Sequence, residues 1–411
     1  MSAQGQASVL APSAARARAE FFSLPPARRL LAFLGLTLTL GYAIVLGGAF
    51  LDGHFLTDRE GRPIANDFVN VYAAGRLALD GAPADAYDWP AHKQAEVRAV
   101  GHNFAAYYGW HYPPPFLFIA AALAALPYLV ALLGWLTASF AAYAAAIVGI
   151  LDRRTGLAVA CGFPAALWNV TAGQNGFFTA ALIGGTLGLL ERHPALAGVC
   201  LGLLTYKPQF GLLLPLALVA DRRWLTVGVA VAVAISLAAA SWLAFGSASW
   251  EAFIHWMPIA SRAVLTDGQA DWSRLQSLFG LVRTHGGSEM LAWMAQAVVS
   301  IAAAAAVVWL WRSRAPFDLK AAALAAATLV ATPYLYMYDF VVLAVAVAFL
   351  LRFALARGFA LSDAVGLVGA GALVLSYPYV KTQVGLAAAL IVLALALRRA
   401  LAREPIIRPA P

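Results

Sequence analysis

From Leu30 to Phe50 the chain runs without a charged side chain. That length is about one bilayer thickness of α-helix, and runs of similar character recur up to residue 397. No other feature constrains the fold as strongly. In lipid every backbone N–H and C=O must be satisfied inside the protein, which leaves α-helices or a closed barrel. A barrel needs short segments of alternating polarity, and the sequence has none. The expectation is an all-α polytopic integral membrane protein. Charged residues make up 12% of the chain and the mean hydropathy is +0.76, too little polar surface to cover a water-soluble fold of this size. The net charge of +8 does not point to nucleic acid, because the Lys and Arg residues sit in short loops between apolar runs, where membrane topology explains them.

Arg16, Arg18, Arg28 and Arg29 place the N-terminus in the cytoplasm, and Arg398 and Arg399 place the C-terminus there as well. Residues 1–29 are too polar for a cleaved signal peptide, so they read as a cytoplasmic tail. One transmembrane unit is expected over 30–399, with a first outer loop at 51–112, a second at 246–289 rich in Trp, and a tail at 400–411. About twelve crossings fit this frame: 30–50, 128–151, 157–170, 175–190, 195–206, 209–220, 224–245, 290–311, 319–335, 338–351, 361–376 and 381–397. Residues 113–126, between the three prolines Pro113 to Pro115 and Pro127, are too short to cross and read as a re-entrant half-helix. Around Arg76, the spacing of Tyr72, Leu77 and Leu79 suggests an amphipathic helix lying on the membrane's outer face. Cys161 and Cys200 fall inside apolar runs and read as small hydrophobic residues, not as a disulfide.

In this topology nearly every polar constellation falls on the outer face. The candidate substrate-binding residues are Tyr72, His111 and Tyr112 in the first outer segment, Gln174 and Asn175 in a Gly-Gln-Asn turn, and Lys207 and Gln209 around a Lys-Pro-Gln turn. Gln276, Tyr338, Asp339 and Lys381 lie farther along the chain. A transporter would place such groups near mid-bilayer on a path open to both sides. The expectation is a one-sided pocket, with Asp67 as its chemical centre.

Asp-Phe at 67–68 followed by Tyr72 and a Gly-Ala-Pro turn, Tyr112-Pro113-Pro114-Pro115, Gly173-Gln174-Asn175, Ala197-Gly198-Val199 and Lys207-Pro208-Gln209 occur in this order, followed by Arg222-Arg223-Trp224. Together they resemble glycosyltransferase family 87, over about residues 30–350. The resemblance implies the C-type glycosyltransferase fold. It also implies an integral enzyme that moves a sugar, mannose in the characterised members, from a polyprenyl-phosphate donor to a lipid or glycan acceptor hydroxyl, with inversion, on the outer side of the plasma (inner) membrane. The family's first-loop carboxylate then falls on Asp67, its Pro-rich motif on Tyr112 to Pro115 and its Lys-Pro on Lys207-Pro208. Some relatives carry a His in the region of residues 333–339, where this chain has Tyr334, Tyr336 and Tyr338.

The chemistry is consistent with this assignment. Inverting transfer from a sugar phosphate needs one base for the acceptor proton, the role expected of Asp67. The leaving lipid phosphate is stable as an anion and asks for cations or hydrogen-bond donors; Lys207, Lys381, Arg262 and Arg274 are the candidates. With no Asp-x-Asp pair, His/Cys ligand spacing or Gly-rich phosphate loop, no metal or other cofactor is expected beyond the lipid-linked donor. Other roles remain open for these residues. Asp67 could cap the helix that follows it, Gln174 and Asn175 could satisfy broken backbone, and Asp339 could pair with Lys207 or Lys381. As a whole, the chain could instead be a transporter or flippase, or a non-catalytic membrane scaffold.

Overall fold

The computed structural model describes residues 26–269, 271–380 and 382–402. Its elements are helical, in the order α1 (Pro26–Leu51), α2 (Phe68–Leu79), α3 (Trp89–Val100), α4 (Leu117–Ala124), α5 (Tyr128–Ile150), α6 (Arg153–Gly162), α7 (Pro164–Ala172), α8 (Gly176–Leu189) and α9 (Pro194–Leu203). These are followed by α10 (Leu213–Ala220), α11 (Trp224–Ser261), α12 (Leu278–Thr284), α13 (Glu289–Arg312), α14 (Phe317–Val330), α15 (Val341–Arg357), α16 (Leu361–Leu375) and α17 (Val384–Leu401).

At the centre lies α14. Its run of alanines from Ala321 to Ala327, with Leu319, Leu324 and Leu329, is completely buried, and it packs against α13, α15 and α17. Small side chains let helix backbones approach closely where lipid supplies no hydrophobic drive between helices. At the periphery α1 and α11 are nearly bare: only 11% of each one's most apolar window is buried, and Phe33, Leu36, Ile44, Ile235 and Leu243 face outward. Apolar area on this scale cannot face water. The chain is a multi-pass membrane protein.

Among the described residues, six helical segments are long and apolar enough to cross a membrane, or seven if the bent pair α6 and α7 counts as one broken span. The bend of 55° falls at Phe163-Pro164, because Pro164 has no N–H to continue the hydrogen-bond ladder. The crossings expected at 175–190, 195–206, 209–220 and 361–376 fall on apolar helices of 10–17 residues. At 1.5 Å per residue these are roughly 15–25 Å long, short of a hydrocarbon core of about 30 Å.

Two local expectations need correction. The segment 246–289 is not a loop throughout: α11 kinks at Gly246 (φ 75°, ψ 168°) and then continues as helix to Ser261, with a π-turn to Thr266. Helix α2 does not lie on the membrane. All of it but Arg76, Ala78 and Leu79 is buried in the protein, because Ala73, Ala74 and Gly75 leave no polar face opposite the apolar one. A Cβ at Gly75 would stand 2.0 Å from the Ala120 carbonyl oxygen, so that glycine sets how closely α2 meets the half-helix α4.

Candidate active site

Helix α2 begins beside a large polar cavity, and the local sequence determines how. The Asn66 side chain, not that of Asp67, serves the helix start: its Oδ1 accepts from Phe68 N at 3.1 Å. Asp67 stands at the N-cap position with helical φ and ψ and no side-chain capping bond, so its carboxylate is free to act elsewhere. Oδ2 accepts a hydrogen bond from Gln174 Nε2 at 3.2 Å.

Gln174 is delivered by the sharp turn between α7 and α8. Gly173 ends α7 in the left-handed region (φ 68°), and a Cβ there would meet the Asn66 side chain at 2.9 Å. At the other end of the turn, a Cβ on Gly176 would stand 2.2 Å from the Tyr338 carbonyl oxygen. The turn is thereby wedged between the start of α2 and the 336–339 segment. From it a short network runs inward: Tyr112 OH donates to Gln174 Oε1 at 3.3 Å, and Asn175 Nδ2 donates to Tyr112 OH at 2.7 Å.

The cavity encloses about 820 Å³ and is lined by Asp67, His111, Tyr112, Gln174, Lys207, Gln209, Tyr338 and Asp339 among the expected residues. Lys207 and Asp339 form a buried ion pair, Nζ to Oδ1 at 2.7 Å, and Asp339 Oδ2 accepts from Tyr336 N at 3.1 Å. A lysine among apolar helices needs such a partner or the interface, and here the partner is Asp339. Arg274 also lines the cavity, close to the Tyr377 phenol and within electrostatic reach of Asp67. No carboxylate among the described residues forms an ion pair with it.

Burial raises the Asp67 carboxyl above its ordinary pKa. The Gln174 hydrogen bond and the charges of Arg274 and Lys207 pull it partly back, while Asp339 pushes it up. His111 opens onto the cavity, but the surrounding protein desolvates it and lowers its pKa to about 4, so the imidazole is neutral at pH 7. The wall beside it, residues 101–111, is held by α3: Glu96 Oε1 accepts from Tyr108 N at 3.1 Å, and Lys93 Nζ donates to the Ala106 carbonyl. Burial pushes the Glu96 carboxyl up to about 7.

Several expected site residues stand elsewhere. Tyr72 is buried away from the cavity and donates to the Leu126 carbonyl at 2.8 Å, satisfying backbone just beyond the end of α4 where no helical partner exists. Asn175 stands behind Tyr112 and does not line the cavity. Gln276 is buried and ties three segments together: its N donates to Leu335 O at 2.8 Å, its Oε1 accepts from Gly385 N at 2.9 Å and its Nε2 donates to Ser273 O at 3.3 Å. Arg262 is solvent-exposed, 3.9 Å from Asp267. Lys381 lies outside the described residues. The sequence reading also missed wall residues, among them Asn70, Tyr108 and Trp168. For Asn70 there was a clue, its place one helical turn after Asp67; the others come from segments far apart in the chain. Among the described residues no group of three or more His, Cys, Asp and Glu side chains is placed to hold a metal ion.

Compared with known proteins, the chain matches the family model "Glycosyltransferase family 87" over residues 110–333. This segment spans the 101–111 wall's end, the Gly-Gln-Asn turn, Lys207 and Arg274, and Asp67 precedes it. No curated protein matches the chain, and no solved structure does. With more than half its length covered by that model, this multi-pass membrane chain belongs to glycosyltransferase family 87, a family of membrane glycosyltransferases.

Proposed function

We propose that the protein transfers a hexose, with mannose the first candidate, from a polyprenyl-phosphate donor to an acceptor hydroxyl at the outer face of the plasma membrane, both termini being cytoplasmic. The observation that carries this reading is the setting of Asp67. Its carboxylate is released from helix capping by Asn66 and oriented by Gln174 in a cavity that also holds Arg274 and the Lys207–Asp339 pair. Such a group suits a general base, because burial brings its pKa closer to neutrality.

In the reaction, the acceptor hydroxyl oxygen attacks the sugar C1 from the side opposite the phosphate, and its proton passes to Asp67. The C1–O bond to phosphate breaks with its electron pair going to the departing polyprenyl phosphate, so the new glycosidic bond has inverted configuration. Charge grows on the phosphate oxygens as that bond breaks, and fixed cations in a site poor in water stabilise it best. Arg274 is the first candidate for this role because no carboxylate among the described residues forms an ion pair with it. Lys207 is already neutralised by Asp339 and contributes less net charge. Gln174 is a positioning residue for the base, with Tyr112 and Asn175 behind it.

The test is transfer from polyprenyl-phosphate mannose by purified protein in lipid, wild type against Asp67→Asn at equal amounts. Loss of transfer by at least about a hundredfold with lipid binding retained is expected for a general base. Equal transfer by both proteins would remove Asp67 from the mechanism.

A further inference from the structure

Asn70 lies one helical turn after Asp67, and residues three apart share a helix face. Both line the cavity. Asn70 is only 4% exposed, and its Oδ1 is buried without a hydrogen-bond partner among the described residues. Its carboxamide makes no hydrogen bond there, whereas the two amides nearest the base are engaged: Asn66 to Phe68 N, and Gln174 to Asp67 and Tyr112. A buried amide oxygen without a partner costs free energy, and turning the carboxamide about its last bond brings that oxygen to a ligand hydroxyl in the cavity. Because an amide carries a donor beside its acceptor, a rotated carboxamide serves a hydroxyl in either direction.

We propose that Asp67 and Asn70 form a two-point reader of the acceptor. One hydroxyl meets the Asp67 carboxylate, and a neighbouring hydroxyl on the same molecule hydrogen-bonds the Asn70 carboxamide. The acceptor is therefore a polyhydroxylated ring, a carbohydrate, and not the single hydroxyl of a Ser or Thr side chain or of a lipid alcohol. The surrounding wall suits such a ring: Trp89, Tyr107 and Tyr108 line the cavity and offer apolar faces with polar rims. This inference rests on the reading of Asp67 as the base.

The experiment titrates purified protein with methyl α-mannopyranoside, and separately with cyclohexanol as a one-hydroxyl ring, following tryptophan fluorescence because Trp89 and Trp168 line the cavity. Wild type is expected to show saturable sugar binding and none with cyclohexanol. Asn70→Ala, and Asn70→Leu as the variant closest in shape, should bind the sugar about tenfold more weakly, the loss of one hydrogen bond. Equal binding by wild type and variants, equal binding of cyclohexanol, or no saturable sugar binding would each overturn the proposal. If neither variant folds, the comparison of the two probes on wild type still decides it. Sugar binding that survives a concentration of polyprenyl-phosphate mannose sufficient to shift the melting temperature supports the acceptor side. Displacement by that lipid would assign Asn70 to the donor sugar and overturn the acceptor assignment. Asp67→Asn separates the two readings: lost transfer with retained sugar binding upholds both. Retained transfer refutes the base and with it the two-point reader, and the titrations then decide only whether Asn70 contacts a sugar.

Discussion

At the scale of single residues, two asparagines and a glutamine determine what Asp67 does. Asn66 takes over the helix start, Gln174 occupies one carboxylate oxygen, and Asn70 stands a turn away with its amide unpaired among the described residues. The carboxyl titrates above its ordinary range because burial outweighs the cations facing it. A base acts when deprotonated, so transfer rises with pH through that raised pKa. Removing a cation that lowers the pKa raises it further, and Arg274→Ala should therefore move the acidic limb of the kcat/KM profile to higher pH, besides raising the KM for the donor. A limb that does not move would mean that the Arg274 charge does not reach the base. Tyr72 offers the opposite contrast. Its hydroxyl bonds the Leu126 carbonyl, so Tyr72→Phe should cost about 1 kcal/mol of stability, seen as a lower melting temperature, with the KM for donor and acceptor unchanged. A raised KM would return Tyr72 to the substrate.

At the scale of elements, short pieces converge on the cavity while long ones shield it. The start of α2, the α7–α8 turn, the Lys207 turn and the 336–339 segment each contribute three or four residues to its wall, and close contacts at Gly173 and Gly176 hold them. Two of these pieces are tied by the buried ion pair of Lys207 and Asp339. Removing one member of a buried ion pair leaves the other uncompensated and typically costs about 3–5 kcal/mol, whereas replacing both by apolar groups is far milder. Lys207→Met alone should therefore lower the melting temperature sharply, and Lys207→Met combined with Asp339→Leu should recover most of it. If the double variant is no more stable than the single one, Asp339 depends on other partners.

At the scale of the whole molecule, bare apolar flanks on α1 and α11 surround an alanine-rich centre at α14. Much of this was legible in the sequence. Scarce charge and repeated apolar runs excluded any solvent but lipid, and the prolines before Phe116 and at Pro127 marked a helix too short to cross. Asp67, Gln174, Lys207 and Asp339 could also be named, because a polar group in so apolar a chain needs a purpose. Their relations could not be named. Asp67 and Gln174 are 107 residues apart and Lys207 and Asp339 are 132 apart, and helical periodicity states which residues share a face without stating which faces meet. For the same reason Tyr72 and Gln276 read as site residues from composition and turned out to satisfy the backbone of neighbouring segments. The sequence by itself determined the solvent, the helical class and the polar groups that require a role. Only the tertiary structure decided which of those groups share a cavity, because that depends on how closely distant helices approach, and a few glycines and alanines set that approach.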